Sequence, residues 1–328
     1  MPSSSILITG VSSFIGYHLG KFFSTRHFNV VGIHSKPVNT YDGIAASRLQ
    51  ELQSVGVGLV QADLTDPGAI GRLIEDITPR FCIHHAGWAK DYGSMAYDLD
   101  RAHAVNCTPL EGLYRGLKNC GCEGILLTGS SMEYSNGIAV CREEDACWPE
   151  TPYGLAKLAA TIRSAQLAKT YNMPTRVARV FIPFGSGDNP GKLIPTVIRE
   201  IAQEKTVALS PCEQKRDFLY IEDLMHGYAG LIEDLRRDTL FDMFNLCSGQ
   251  AIRLKELLLE LVELMGADPA LLQFGALAMR PGEPEVSFGA NDKARTLLNW
   301  KPRPMRQALA DYLSLLHELK VLQPNKGM

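Results

Sequence analysis

Ser5-Ile-Leu-Ile-Thr9, then Gly10-Val-Ser-Ser-Phe-Ile-Gly16, then Tyr17-His-Leu-Gly-Lys-Phe-Phe-Ser-Thr-Arg26: an apolar run, a glycine turn and a helical pattern follow one another without a gap. In that succession, backbone N–H groups and a helix N-terminus are turned toward a pyrophosphate. A glycine turn alone is a weak signal; the run before it and the helix after it make this one informative. Gly10, Ser13, Phe14, Ile15 and Gly16 are the expected contacts of a bound dinucleotide.

Working outward, a second strand, FNVVGIH (28–34), ends at His34-Ser35-Lys36. An acidic residue at this edge would accept from the ribose hydroxyls of NAD. Two possible cations and a hydroxyl stand there instead, and they attract a 2′-phosphate, so NADP(H) is expected in preference to NAD(H). The plainer alternative is that these residues merely end a strand. A third strand, VGLVQA (57–62), leads to Asp63 and Leu64, with Asp63 expected to accept from the adenine amino group and Asp66 to cap the next helix. A fourth, RFCIHH (80–85), leads to Ala86-Gly87-Trp88, where small residues let backbone lie against a cofactor. One helix is expected over about 92–119; its Asn106 is either a structural polar group or one holding a water or a carbonyl near the site. A fifth strand, GILLTG (124–129), delivers Ser130 and Ser131 at its carboxyl end, where open α/β sheets place their chemistry. A sixth is expected over TRVARVFIP (175–183).

This alternation predicts an α/β fold with a doubly wound parallel sheet over residues 1–180. Beyond it, residues 181–328 predict a smaller α/β substrate-binding lobe, with some segments returning to the sheet. The loop Phe184–Gly191 brings Asn189, with Lys192 just beyond it, and Arg216 and Arg280 sit at segment junctions. Arginine forks suit phosphate, which makes both candidate ligands of a substrate diphosphate. Surface ion pairing is the plain alternative for either one.

The stretch Thr151-Pro-Tyr153-Gly-Leu-Ala-Lys157 opens a long helical pattern with proline in the first turn, where its missing N–H costs nothing. Spacing of four puts the Tyr153 phenol and the Lys157 ammonium on one face. A phenol with an ordinary pKa of ~10 exchanges protons poorly at neutral pH, and a fixed cation beside it favours phenolate. Lys157 is therefore expected to acidify Tyr153. Taken alone, the pair is equally a solvated helix face.

Composition bounds the rest. The chain has 328 residues, 45% hydrophobic and 21% charged, with a formal net charge of −3. Those values suit a globular enzyme and give no electrostatic reason to expect nucleic acid or an anionic membrane. No apolar run approaches the ~20 residues of a membrane span, and the start lacks the basic and apolar regions of a signal peptide. Eight cysteines without metal or CxxC spacing predict reduced thiols, a cytoplasmic location and no metal site.

The order TGxxSFIG (9–16), Asp63, Ser130, Tyr153-xxx-Lys157, RDFLYIED (216–223) and RPGEP (280–284) resembles the extended short-chain dehydrogenase/reductases, which include nucleotide-sugar epimerases, dehydratases and reductases. The resemblance covers about residues 5–315. It implies a Rossmann-type fold, a catalytic Ser130, a nucleotide-sugar substrate and Lys157 binding the nicotinamide ribose as well as acting on Tyr153. In the family's pattern glycine stands where this chain has Ser13, whose hydroxyl would reach phosphate but would fit poorly at positive φ. An asparagine usually stands at Ile182, which weakens any transfer of a substrate contact there. Family dehydratases carry an acidic pair just after the catalytic serine; here those places hold Ser131 and Met132, and Glu133, if on a strand, points to the opposite face. The cysteine and histidine of the epimerase-reductases are replaced by Met132 and Gly187. What remains is closest to the nucleoside-diphosphate 4-keto-6-deoxyhexose reductases: NADPH-dependent reduction of a 4-keto group, with an NAD-retaining 4-epimerase as the alternative and a non-catalytic dinucleotide sensor behind both. The helix after Tyr153 is apolar on more than one face, and relatives pair through it, so a homodimer is expected.

Overall fold

The computed structural model describes residues 4–279 and 282–319; Arg280, one of the two expected diphosphate ligands, lies outside them. In chain order the first half runs β1 (Ser5–Thr9), α1 (Phe14–Ser24), β2 (Asn29–His34), α2 (Gly43–Ser54), β3 (Gly58–Gln61), α3 (Pro67–Ile77) and β4 (Phe81–His84). It continues with α4 (Leu99–Asn106), α5 (Leu110–Asn119), β5 (Gly124–Ser130), α6 (Pro152–Tyr171) and β6 (Thr175–Val180). The second half adds β7 (Ile182–Phe184), α7 (Leu193–Ile201), β8 (Val207–Leu209), β9 (Lys215–Arg216), β10 (Phe218–Tyr220), α8 (Ile221–Asp234) and β11 (Phe241–Leu246). Last come β12 (Ile252–Arg253), α9 (Leu254–Leu264), β13 (Leu272–Phe274), β14 (Val286–Ser287), α10 (Asp292–Leu297) and α11 (Met305–Glu318).

Seven strands pair in the order β11-β6-β5-β4-β1-β2-β3, all parallel, which is the expected Rossmann-like doubly wound sheet. The period of two sorts their side chains into two cores. Ile6, Ile8, Phe81, Ile83 and Leu126 face the layer of α1, α2, α8 and the second-half helices, while Leu7, Cys82, Ile125 and Leu127 face α3, α5 and α6. Both faces are covered, so β5 is buried at every position and reads as a continuous apolar run rather than an alternating one.

Two expectations change in detail. The single helix expected over 92–119 begins only at Leu99 and is two, α4 and α5, broken at Cys107–Pro109 because proline carries no N–H and its ring crowds the preceding turn. The strand over 175–183 divides at Phe181: β6 stays in the main sheet, and β7 pairs instead with β10. Asp66 does cap α3, accepting from the Gly68 and Ala69 amides at 2.9 and 3.1 Å. After the second half begins, β11 returns to pair with β6. All eight cysteines are free thiols. Among the described residues no helix is long and apolar enough to cross a membrane.

Candidate active site

A cleft of about 1700 Å³ runs along the carboxyl edge of the sheet and under the second-half segments. Its first wall is the glycine turn. Gly10 has φ +77°, and a Cβ there would stand 2.9 Å from the Ala86 Cα. A Cβ on Gly16 would stand 2.1 Å from the Gly10 carbonyl oxygen, so only glycine closes the turn. Ser13 has φ −78°, an ordinary value for any residue, so the expected misfit does not arise. Its hydroxyl is turned inward: it donates to the Gly10 carbonyl at 2.8 Å and accepts from the Gly16 amide at 3.1 Å as the cap of α1. The amides of Phe14 and Ile15, in the first turn, have no partner within the helix and are the ones left for an anion.

Ser35, Lys36, Asp63, Leu64 and Ala86 also line the cleft. Asp63 is shaped by its neighbour, accepting from the Thr65 amide and hydroxyl at 2.9 and 2.7 Å; these bonds hold its carboxyl below the usual range. His34 is the correction at this edge. Its ring is buried and meets the Lys36 carbonyl at 2.7 Å, so the polar edge facing the cleft is Ser35 and Lys36 without it. The Asn106 side-chain oxygen accepts from the Trp88 amide at 2.8 Å, while its buried side-chain nitrogen has no hydrogen-bond partner among the described residues.

At the sheet's centre, β5 ends on Ser130 and α6 begins on Pro152, with Thr151 capping it through the Gly154 amide at 3.1 Å. Ser130, Ser131, Tyr153 and Lys157 therefore share one stretch of wall. The Tyr153 ring is boxed by Tyr97, perpendicular at 5.8 Å between centroids, and by Tyr92 at 5.5 Å. Lys157 is buried, and its ammonium donates to the Thr128 carbonyl at 2.5 Å. The expected acidification of the phenol is overturned. Burial pushes Tyr153 well above its ordinary pKa, Tyr97 and Glu133 act in the same sense, and the Ser130 hydroxyl alone of the named catalytic candidates opposes them. The physical reason is desolvation, which disfavours phenolate more than the Ser130 hydroxyl favours it. Burial also lowers Lys157, with Glu133 holding it up.

Glu133 does point away from the cleft, as expected, but from a tight helical turn over Ser131–Glu133 rather than a strand. It is completely buried; one oxygen accepts from the Ser130 amide at 2.8 Å, and the other from Thr161 and Arg179, both at 3.0 Å. Of the expected diphosphate ligands, Arg216 lines the cleft with its guanidinium paired to Glu283 at 2.8 Å. Lys192 lines it too, paired to Asp188 at 3.0 Å. Asn189 is not on the wall: it is exposed and folds its side chain back onto the Gly191 amide at 2.9 Å.

Two residues that the sequence did not single out hold this wall in place. Arg48 on α2 donates to the carbonyls of Ser12 and Gly187 at 3.0 and 2.6 Å, lacing the glycine turn to the loop after β7. His85, just past β4, reaches Ser13 on one side and Thr128 on the other. For His85 the one signal was a second histidine directly before Ala86-Gly87.

The glycine turn, the close approach at Ala86 and the free first-turn amides together fit a dinucleotide. Comparisons with known proteins agree. The profile of the NAD dependent epimerase/dehydratase family matches residues 6–247. The chain is 26% identical over 329 residues to the GDP-6-deoxy-D-mannose reductase of Pseudomonas aeruginosa, covering 95% of this chain and 98% of that one. It is also 26% identical over 300 residues to the UDP-glucuronate 4-epimerase of Thermodesulfobacterium geofontis, covering 90% of each. Among solved structures, the UDP-glucuronic acid 4-epimerase from Bacillus cereus, in complex with UDP-glucuronic acid and NAD, matches with a TM-score of 0.82. At 22% identity over 96% of this chain and 99% of that one, that likeness is one of fold.

Proposed function

The chain belongs to the NAD dependent epimerase/dehydratase family, an NAD(P)-dependent enzyme of the short-chain dehydrogenase/reductase type acting on nucleotide sugars, and from that footing we propose that it reduces the 4-keto group of a nucleoside-diphosphate 4-keto-6-deoxy sugar with NADPH. The observation that carries the reading is the cleft edge after β2, where Ser35 and Lys36 stand in place of a carboxylate, on the same cleft as Ser130, Tyr153 and Lys157. Reduction of a ketone needs a proton donor at its oxygen, and a phenol held above its ordinary pKa is in the donating form throughout the neutral range.

When bound, the nicotinamide supplies hydride. Tyr153 gives its proton to the sugar's carbonyl oxygen, so ketone, hydride and proton become an alcohol. Ser130 donates a hydrogen bond to the same oxygen as charge develops, worth ~3 kcal/mol by analogy with other oxyanion donors. Lys157 contributes a buried positive charge and holds the end of β5 through Thr128. Arg216 and Lys192 are the described cations proposed for the diphosphate, each needing to exchange its present carboxylate partner. The 4-epimerase stays as a second reading because relatives of near-equal similarity carry that name. Purified protein that consumes NADPH with a 4-keto-6-deoxy sugar nucleotide supports the reductase. Protein that carries bound NAD and interconverts two sugars without net oxidation overturns it. A melting-shift screen with GDP, CDP, UDP and dTDP identifies the base.

For cofactor choice, Ser35 and Lys36 support NADPH. Lys36→Glu is expected to weaken NADPH about ten- to hundredfold, the range for losing a charge-assisted contact, while NADH changes little. Equal losses for the two cofactors would remove the assignment. Leu155 and Ile162 stand exposed on α6, at 46% and 61%, which supports a homodimer through that helix. Sedimentation at micromolar concentration should return the dimer mass, and a monomer refutes it.

A further inference from the structure

A continuous chain of hydrogen bonds crosses the molecule beneath the cleft, and its proton positions can be assigned. Tyr228 on α8 is fully buried, with its phenol oxygen 2.6 Å from the Thr128 hydroxyl. Thr128 lies 3.1 Å from His85 Nδ1, and His85 Nε2 lies 2.9 Å from the Ser13 hydroxyl, which reaches the Gly10 carbonyl at 2.8 Å. If Tyr228 donates to Thr128, then Thr128 donates to Nδ1, Nε2 carries the ring proton and gives it to Ser13, and Ser13 donates to Gly10. Every hydroxyl then uses its one proton. The reverse direction strands the Tyr228 proton in the core, which costs ~1–3 kcal/mol. The ring is thereby neutral and fixed in one tautomer; burial, with Lys157 and His84 nearby, holds its pKa down to about 3.

The consequence for Ser13 is specific. Its hydroxyl makes three bonds, one donated and two accepted, from the Gly16 amide and from His85. No capacity is left for phosphate, so the serine staples the turn while the first-turn amides meet the ligand. The same imidazole holds Thr128, whose carbonyl anchors Lys157. One ring therefore joins the glycine turn to the strand that ends on Ser130.

We propose that His85 is a positioning residue for the dinucleotide: it fixes the Ser13 hydroxyl, and through it the glycine turn, in the geometry that binds. The proposal rests on the family's dinucleotide cofactor, and its effect is on the cost of organising the turn rather than on a contact with the ligand. Calorimetric titration of the purified chain with NADPH and with NADH tests it. His85→Leu is expected to bind both about tenfold more weakly (about 1.4 kcal/mol), because the turn meets the part the two share. His85→Gln, whose amide offers one acceptor and one donor, should regain most of the loss. Ser13→Gly removes the partner, so His85→Leu added to it should cost little more. Wild-type affinity in His85→Leu, or losses of the two single variants that simply add in the double variant, would overturn the proposal. If His85→Leu fails to fold, the Gln variant decides: affinity near wild type supports the hydrogen-bonding role and a tenfold loss refutes it. No binding of either dinucleotide by the unaltered chain would instead strike the cofactor reading itself.

Discussion

Tyr153→Phe should lower turnover by about two to four orders of magnitude, the span of positioned general acids, and leave dinucleotide affinity near that of the unaltered chain. The substitution removes one oxygen and keeps the ring, so the box formed by Tyr92 and Tyr97 stays filled. The glycine turn lies on another element and is untouched. What is lost is the proton that the carbonyl oxygen must receive, a contribution made only in the transition state, so kcat and kcat/KM should fall together while KM moves little. The phenol's raised pKa adds a second expectation. Activity should not depend on loss of the Tyr153 proton anywhere near neutrality, since burial keeps the group protonated there. Turnover within tenfold of normal in Tyr153→Phe would take the proton donor elsewhere and with it the proposed reaction.

The largest expected effect on stability belongs to Glu133→Ala. Glu133 and Arg179 are both buried, at 0% and 2% exposure of their side chains, and pair at 3.0 Å. Removing the carboxylate leaves the guanidinium charged in the core and strips partners from the Ser130 amide and the Thr161 hydroxyl. Breaking a buried pair from one side costs ~3–5 kcal/mol, which is a large part of a typical domain's ~5–15 kcal/mol. Urea unfolding should show the free energy of unfolding lowered by that amount, read as a lower midpoint at unchanged slope. Glu133→Gln, which keeps an acceptor for the Ser130 amide, should cost less. A loss below about 1 kcal/mol in Glu133→Ala would mean that Arg179 finds another partner. The carboxylate nearest Ser130 is thus committed to holding the strand end, and the chemistry is left to Ser130 and Tyr153.

Sheet and glycine turn were legible because their signals are local. Ile6, Leu7 and Ile8 precede Gly10 directly, and two-sided burial leaves strands as apolar runs that end where the cleft begins. Ser130, Tyr153 and Lys157 were legible for the same reason: a strand end, and one helical turn. The rest depended on contacts that a linear chain does not display. Apolar periodicity carries straight through Cys107–Pro109, and only the proline marked the break. His34 looked like a cleft cation because it ends β2, yet its ring bonds inward to Lys36. Lys157 lies on the face shared with Tyr153, but the Thr128 carbonyl from β5 claims its ammonium. α2 buries only Arg48, Leu49 and Leu52, so its amphipathic pattern is weak, although Arg48 is the side chain that reaches two carbonyls at the cleft.

The strand β11 carries one further implication, for the order in which the molecule is completed. Its neighbour β6 is buried at all six positions, and the outer row of β6 backbone groups is paired by residues 241–246. Those residues leave the ribosome only after α7 and α8 have been made. Until then the growing sheet ends in a bare, sticky edge, the kind that recruits strands from other chains. The sheet's closing piece is synthesised late, so the nascent chain passes through an interval in which the segments bound for the other side of the cleft are all that stands between that edge and its neighbours.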